Sequence, residues 1–122
     1  MISQADDRIV LVAAVQDQPV GIGKTHFHKE PAGKAPAGHY LGGVVVSPAY
    51  RRLGVGAALT RARMEWVWSR SSSVYYFANE NNAASITMHQ ALGFMPVGRF
   101  AEIHGVTADD GRSQHILVQA AR

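Results

Sequence analysis

The first half of the chain consists of short apolar runs separated by polar turns. The run from Arg8 to Gln16 is rich in Ile and Val and predicts a strand, and Asp17 to Pro19 predicts a turn. Extended character resumes from Val20 to Lys29, so these two runs predict a β-hairpin. A loop of Pro, Gly and Ala follows at 30–38, and the run from His39 to Ser47 predicts a third, buried strand.

The apolar period becomes helical after this third strand. Residues 54–70 contain four apolar positions spaced for one face of a helix, namely Val55, Leu59, Ala62 and Trp66. Arg61 and Arg63 fall away from that stripe, and we expect both to lie on the solvated side of the helix. The next apolar run, Val74 to Ala78, has no polar position and predicts a strand that is covered on both faces.

A second helix and two further strands complete the pattern. Asparagines within 79–82 provide N-cap residues for a helix from Ala83 to Leu92, which ends in a glycine. Phe94 to Ile103 and Gln114 to Ala120 predict the last two strands. The loop between them contains Asp110-Gly111, a pair that is typical of hairpin turns.

This order of elements predicts an α/β domain with a mixed sheet. The third strand, the first helix and the fourth strand should form a right-handed parallel crossover. The remaining strands are joined by hairpin connections, which make them mostly antiparallel. We therefore expect a single domain over residues 1–122, with a mostly antiparallel sheet in two or three layers.

Composition limits the classes of function. The chain has 122 residues, of which 47% are hydrophobic, so one domain can bury a real core. It has no cysteine, which excludes disulfides, thiolate metal sites and a cysteine nucleophile. The longest apolar run, Ile9 to Val15, is too short to cross a membrane, and the acidic residues before it are unlike the basic start of a signal peptide. We expect a soluble, cytoplasmic protein with no membrane partner.

Charge and histidine content add little to this picture. The net charge of +3 favours an anionic ligand only weakly. The twelve Lys and Arg residues are spread along the chain, which is typical of an ordinary surface, so we expect no nucleic-acid partner. His26 and His28 alternate on one face of the predicted second strand, but a metal ion would need a further ligand. We interpret both as surface histidines and expect no metal.

The most specific local feature is the turn between the third strand and the first helix. The paired Arg51 and Arg52 precede two glycines, Gly54 and Gly56, at the point where the helix begins. A helix N-terminus has free N–H groups and partial positive charge that bind phosphate, glycines allow close approach of the backbone, and arginines add bidentate contacts. The turn is therefore a candidate phosphate site. On the turn alone, glycines that ease strand-to-helix packing are the simpler interpretation.

Two blocks of sequence together resemble the GNAT superfamily of N-acetyltransferases. The first, Arg51-x-x-Gly54-x-Gly56 after Val46-Ser47-Pro48, is similar to the family's acetyl-CoA signature, Q/R-x-x-G-x-G/A. The second, NAASITMHQALGF over residues 82–94, is similar to the family's N-x-x-A/S-x-x-L/M-Y/H-x-x-x-G-F. The two blocks occur in the family's order, and the order of elements extends the resemblance over about residues 8–120.

The resemblance implies that acetyl-CoA is the co-substrate. In the family, the backbone of the turn binds the coenzyme pyrophosphate, which corresponds here to Arg51, Arg52, Leu53, Gly54, Val55, Gly56 and Ala57. The pantetheine arm lies between two splayed parallel strands and bonds to the main chain of the first, which corresponds here to Val44, Val45 and Val46. The second of these strands corresponds to residues 74–79.

The second block implies a catalytic residue. Asn82, Ser85 and His89 are spaced to share one face of a helix, and the resemblance implies that this face meets the coenzyme. Many family members have a tyrosine at the position of His89, which protonates the departing thiolate, and relatives of phosphinothricin acetyltransferase have a histidine there. An imidazolium can donate that proton, and His89 can also act as a base or as a hydrogen-bond donor. Without the family pattern, Asn82 is a helix cap and His89 a partly buried helix residue.

The general base that deprotonates the amine has no obvious candidate. Family members often place a glutamate on the central strand, whereas this strand reads HYLGGVVV and has no carboxylate. His39, Tyr40, a chain of water molecules and, more weakly, Glu80 remain open as alternatives.

The resemblance implies an N-acetyltransferase that moves the acetyl group of acetyl-CoA directly to a primary amine of a small molecule or peptide. The alternative is a coenzyme-binding module without catalysis, which the missing glutamate favours. Family members begin with a strand and two helices that shape the acceptor pocket, and only seven residues precede Arg8 here, so we expect these helices to be absent. The acceptor side is then either open or completed by a second copy of the chain, and we expect a homodimer.

Overall fold

The computed structural model describes residues 2–4, by their backbone, and residues 7–122. Within these residues the strands are β1 (Ile2–Gln4), β2 (Ile9–Val15), β3 (Gln18–His28), β4 (Gly38–Val46), β5 (Ser73–Asn79), β6 (Met95–Phe100), β7 (Glu102–Ile103), β8 (Val106–Thr107) and β9 (His115–Ala121). The helices α1 (Val55–Trp68) and α2 (Ala83–Ala91) precede and follow β5 in the sequence, and one 3-10 turn, Pro48–Tyr50, follows β4.

Seven strands form one mixed sheet in the order β1-β2-β3-β4-β5-β9-β6. Every neighbouring pair in this sheet is antiparallel except β4 and β5, which are parallel and are joined through α1. This arrangement confirms the predicted α/β class, with its mostly antiparallel sheet and its central parallel strand–helix–strand unit. The pairing of β1 with β2 adds an edge strand that the sequence did not predict.

The predicted hairpin of the first two runs is present as β2 and β3. Its turn lies at Gln16 and Asp17, whose φ angles are 50° and 65°, so it begins one residue earlier than predicted. Pro19, which we assigned to the turn, lies in β3 opposite Ala14, next to a register shift. A bulge of this kind is where a strand tolerates a proline, because the missing N–H need not bond to the neighbouring strand.

The last two predicted strands are also confirmed as an antiparallel pair, β6 and β9. The predicted strand over residues 94–103 is interrupted after Phe100, and a small separate hairpin of β7 and β8 follows. His104 and Gly105 form the turn of this hairpin with φ angles of 47° and 85°. The Asp110 carboxylate accepts hydrogen bonds from the backbone N–H groups of Arg112 and Ser113, which confirms its predicted role in the turn before β9.

Both helices pack on the same face of the sheet, so the domain has two layers. The main core cluster on this helix face consists of Leu41, Met64, Val67, Val74, Tyr76, Ala78, Phe94, Val118 and Ala120. On the opposite face, which we call the open face, a smaller cluster of Ala35, Tyr40, Ile103 and Leu117 joins the loop before β4 and the β7–β8 hairpin to the sheet. Among the described residues, neither helix has the length and apolar content needed to span a membrane.

The predicted solvation of α1 is correct for Arg61 and wrong for Arg63. Arg61 is exposed, whereas the side chain of Arg63 is fully buried between the helix and the sheet. Gly42 and Gly43 of β4 together face Lys24 at a bulge between β3 and β4. The Arg63 guanidinium donates hydrogen bonds to the carbonyl oxygens of Lys24 and Gly42, at 2.9 and 2.6 Å. Burial of an arginine is possible here because the bulge supplies acceptors that a regular ladder would have used.

Candidate active site

The parallel strands β4 and β5 part immediately after they meet. They pair only at Tyr40 and Tyr75, although β4 continues to Val46. Beyond Tyr40, the edge of β4 that faces β5 therefore has no strand partner, and its main-chain groups are open to a ligand.

A cavity of about 380 Å³ occupies this gap on the helix face. Its walls come from the β4 bulge, α1, β5 and α2: Gly42, Gly43, Val44, Arg63, Tyr76, Asn82, Ala84, Ser85, Met88 and His89. The structure thus brings Asn82, Ser85 and His89 together on one wall, as their spacing predicted. Arg63 lies in the same lining, and the sequence pattern gave no indication of it.

His89 is held in one orientation. Its ring stacks on the ring of Tyr76, with centroids 3.6 Å apart and planes 3° apart. Its Nδ1 lies 2.7 Å from the carbonyl oxygen of Ser85, so Nδ1 is protonated and donates. Nε2 is buried and has no hydrogen-bond partner among the described residues. Burial lowers the pKa of His89 below its usual value of 6.5, and the charge of Arg63 lowers this pKa further, against the opposing effect of the Ser85 hydrogen bond.

The neutral form of His89 follows from these contacts. With a proton on Nδ1 and a lowered pKa, the imidazole at neutral pH presents an unprotonated Nε2. The ring is therefore ready to accept a proton before it donates one. This state differs from the imidazolium that a direct proton donor would require.

The other two residues of the α2 wall have structural partners as well. The Asn82 side chain accepts from the backbone N–H of Ser85, at 3.3 Å, and caps α2. The hydroxyl groups of Ser85 and Tyr76 are 2.5 Å apart. Asn82 also lines the cavity.

The turn before α1 has the features of an anion site. Gly54, at the N-cap, has a φ of 85°, and Arg52 has a φ of 64°. No side chain of the described residues caps α1, and the first turn contains no acidic residue. The N–H groups of Val55, Gly56 and Ala57 therefore lack intrahelical partners. Leu53, 68% exposed, projects from this turn.

The three valines of β4 differ in their surroundings. Val44 lines the cavity and lies against α1, since a methyl group built on Gly56 would be 3.6 Å from Val44 Cγ2. Val45 points to the open face and is 67% exposed. The carbonyl oxygen of Val46 accepts from Arg51 Nε at 3.1 Å, which joins the end of β4 to the turn.

A second cavity, of about 300 Å³, lies on the open face at the same place. It shares Gly42 and Gly43 with the first cavity, so the β4 bulge lies between the two. His26, His28 and His104 line it together with Tyr40. The sequence predicts surface positions for His26 and His28 and a loop position for His104, because nothing in it relates the turn of β7–β8 to β3. Among the described residues, no three histidine or acidic side chains are placed to hold a metal ion.

The three side chains considered as a general base lie elsewhere or have other partners. His39 is buried on the helix face, where its ring meets the edge of Trp66. Tyr40 donates its hydroxyl proton to the carbonyl oxygen of Pro36, and burial raises the pKa of this tyrosine well above its usual value. Glu80 accepts from the backbone N–H of Gln114 and pairs with Arg99, outside both cavities.

The sequence is similar to those of known acetyltransferases. The model of the acetyltransferase (GNAT) family matches residues 2–94. The mycothiol acetyltransferase of Renibacterium salmoninarum is 34% identical over 80 residues, which are 64% of this chain and 23% of that protein. The chain thus spans about a quarter of the length of this curated relative.

Solved structures share the fold. The nourseothricin acetyltransferase structure superimposes with a TM-score of 0.74 at 22% identity and covers 95% of this chain and 66% of its own. A putative streptothricin acetyltransferase from Bacillus anthracis, solved in complex with acetyl coenzyme A, superimposes with a TM-score of 0.75 at 20% identity. The match covers 97% of this chain and 64% of that one. The family model matches three quarters of this chain, and the chain therefore belongs to the GNAT family of acetyltransferases.

Proposed function

We propose that the chain transfers the acetyl group of acetyl-CoA to a primary amine of a small molecule or peptide. The observation that carries this proposal is the gap between β4 and β5, which joins the uncapped turn before α1 to the cavity that contains His89. A phosphate-binding turn, an open strand edge and a titratable side chain then follow one another along a single path. This order matches the pyrophosphate, the amide-containing arm and the thioester of the coenzyme.

Each part of the path has a distinct role in this proposal. The N–H groups at Val55, Gly56 and Ala57 bind the pyrophosphate, and Arg51 and Arg52 add positive charge. The main chain of Val44 and Val45 bonds to the pantetheine arm as a neighbouring strand would. Asn82 and Ser85 complete the wall opposite β4.

In this proposal His89 first accepts a proton and then donates it. The amine attacks the thioester carbon, the carbon–sulfur bond breaks, and the sulfur leaves with its electron pair. His89 Nε2 accepts the proton that the attacking nitrogen loses and passes it to the sulfur. A neutral ring, which the Nδ1 hydrogen bond and the lowered pKa of His89 favour, is the form needed for the first of these two steps.

Replacing His89 tests the proposal. We expect His89→Ala to lower kcat by about 10²-fold, with a much smaller change in acetyl-CoA affinity, because proton transfer is lost while the turn and β4 still bind the coenzyme. Thiol release with a panel of amines measures kcat, and titration calorimetry measures binding. Gln90→Ala, at the exposed neighbouring position of α2, serves as the matched control.

Two outcomes contradict the proposal in different ways. An unchanged kcat in His89→Ala removes His89 from the mechanism. Tight acetyl-CoA binding by the wild-type chain without thiol release for any amine favours a coenzyme-binding module instead.

We also propose a homodimer that acts in the cytoplasm, where acetyl-CoA is available to it. Support for the dimer comes from apolar side chains on the open face that no described element covers. Ile22 is 43% exposed and Val45 67% exposed, and the two are paired across β3 and β4 next to Val12. A second copy of the same face would remove this apolar surface from water.

A further inference from the structure

Three histidines from distant parts of the sequence meet on the open face. His26 and His28 lie on the same side of β3, and His104 comes from the turn of the β7–β8 hairpin. The rings of His28 and His104 stack, with centroids 3.8 Å apart and planes 9° apart. His104 Nε2 lies 2.9 Å from the carbonyl oxygen of Pro36 and donates to it, which ties the hairpin to the loop before β4.

His26 lies beside Gly42, one of the two residues that line both cavities. A methyl group built on Gly42 would be only 3.2 Å from His26 Nε2, so this ring covers the α-carbon of a residue that lines both cavities. Glycine at position 42 is what allows that approach, because any side chain there would displace the ring. The ring is partly exposed and makes no hydrogen bond to the described residues, so Nε2 is free to meet a ligand.

The surroundings of His26 keep it neutral. Burial lowers its pKa below the usual value of 6.5, and the charges of Lys24 and Arg8 lower it further. The titratable and charged groups around it are Lys24 and His28 on its own strand, Arg8 before β2, Tyr40 on β4 and His104 on the hairpin. None of these groups is a carboxylate, and the nearby Asp7 is ion-paired with Arg8 at 2.8 Å, which offsets the charge of Arg8.

The remaining lining of this cavity is apolar and aromatic. Tyr40, Phe77, Ile103 and Val106 enclose it, and among the described residues that line it none is acidic. A substrate with a second ammonium group would find no carboxylate among the described lining residues and would be repelled by the charge of Lys24 nearby. An aromatic or aliphatic flank, in contrast, would bury apolar surface against these side chains.

We propose that this cavity binds the acceptor as a monoamine with an aromatic or aliphatic flank, and that His26 is the group that deprotonates it. The inference rests on the proposed acetyl transfer and specifies its acceptor side. His26 Nε2 takes one proton from the ammonium group, the resulting amine attacks the thioester across Gly42 and Gly43, and the second proton of the nitrogen goes to the leaving sulfur through His89. The products are the amide, the free thiol of the coenzyme and one proton, which His26 returns to water.

The test compares two amines and two histidine variants. We expect 2-phenylethylamine to have a kcat/KM at least tenfold higher than that of spermidine. His26→Gln, which keeps a polar side chain of similar size, should lower kcat/KM for 2-phenylethylamine by about 10²-fold. The wild-type kcat/KM should fall at acidic pH, because neither a protonated His26 nor a protonated His89 can accept a proton, and this fall should be less steep in His26→Gln, which leaves only His89 to titrate.

His39→Gln is the matched control, because burial also lowers the pKa of His39 but its ring lies on the helix face. The control should keep the steeper fall of kcat/KM at acidic pH. A preference for spermidine, or a fall at acidic pH that is as steep in His26→Gln as in the wild type, overturns the inference while leaving the acetyl transfer standing.

A separate measurement covers the case without turnover. If the wild-type chain binds acetyl-CoA but releases thiol with no amine of the panel, the proposed function fails, and binding of 2-phenylethylamine is then followed by NMR of the histidine rings. Shifts at His26, His28 and His104 support the acceptor cavity, and unchanged rings overturn it.

Discussion

Arg63 places a buried positive charge beside the candidate active site. Its hydrogen bonds go to the carbonyl oxygens of Leu59, Lys24 and Gly42 and to the hydroxyl of Thr60. Burial lowers the pKa of Arg63 to about 10, so the guanidinium remains charged at neutral pH. Its charge also lowers the pKa of His89, after the larger effect of burial. One side chain thus stabilises the β4 bulge and favours the neutral form of His89.

Replacing Arg63 should change stability and the pKa of His89 together. We expect Arg63→Met to reduce the free energy of unfolding by about 1–3 kcal/mol for each carbonyl left buried without a donor. The pKa of His89 should rise, because a nearby positive charge is removed. Urea unfolding and NMR titration of the His89 ring measure the two effects.

Arg61→Met provides the control at an exposed position of the same helix. It should leave both quantities close to those of the wild type. A His89 pKa that is unchanged in Arg63→Met would show that the guanidinium charge does not reach the ring.

At the level of elements, the turn between β4 and α1 depends on backbone conformation more than on side chains. Gly54 begins the helix with a φ of 85°, and nothing lies within 4 Å of a methyl group built on it. Gly56 is in the first turn of α1 with an ordinary φ, and a methyl group there would contact Val44 at a comfortable 3.6 Å. The two glycines of the motif therefore have different roles: the first sets the chain direction, and the second keeps the approach to the N–H groups open.

This difference predicts opposite outcomes for two similar substitutions. Gly54→Ala should destabilise the protein by about 1 kcal/mol, because an L residue is strained in the left-handed region. Gly56→Ala should leave stability equal or slightly higher, because alanine favours a helix over glycine. Thermal unfolding measures the stability of the two variants. An equal loss of stability in both would contradict the assignment of backbone strain to position 54.

At the level of the whole molecule, the two faces of the sheet are covered unequally. Both helices pack on one face, while the open face is covered by a loop and a small hairpin near Tyr40 and is bare around Ile22 and Val45. The acceptor cavity proposed above lies on this same face. A partner that covered the apolar area would therefore also lie close to the entrance of that cavity.

The proposed homodimer is tested by molar mass in solution. We expect light scattering after gel filtration to give twice the chain mass, and Val45→Glu to give a monomer, because a charge in the interface cannot be buried without a partner. Met95→Glu, at an equally exposed position on β6 at the far edge of the sheet, should remain dimeric. A monomeric wild-type chain rules out the dimer.

Local patterns in the sequence were sufficient for the elements and for the motif residues. The alternation and helical spacing of apolar positions located β2 to β5, both helices and the β6–β9 pair, because these signals depend on neighbours a few residues apart. The turn and the α2 face could be identified for the same reason: Gly54 and Gly56, and likewise Asn82, Ser85 and His89, act within one turn or one helix.

Long-range packing decided the rest of the site. Arg63 lies off the apolar stripe of α1, and this spacing predicts a solvated side chain. The bulge at Gly42, 21 residues earlier in the chain, nevertheless supplies a carbonyl oxygen that accepts from the buried guanidinium. His104 reaches His28 only because the β7–β8 hairpin folds over the open face, and no local pattern reports a contact between residues so far apart. The sequence by itself determined the order of elements and the coenzyme motifs, whereas the tertiary structure alone determined the gap between β4 and β5 and the side chains that meet around it.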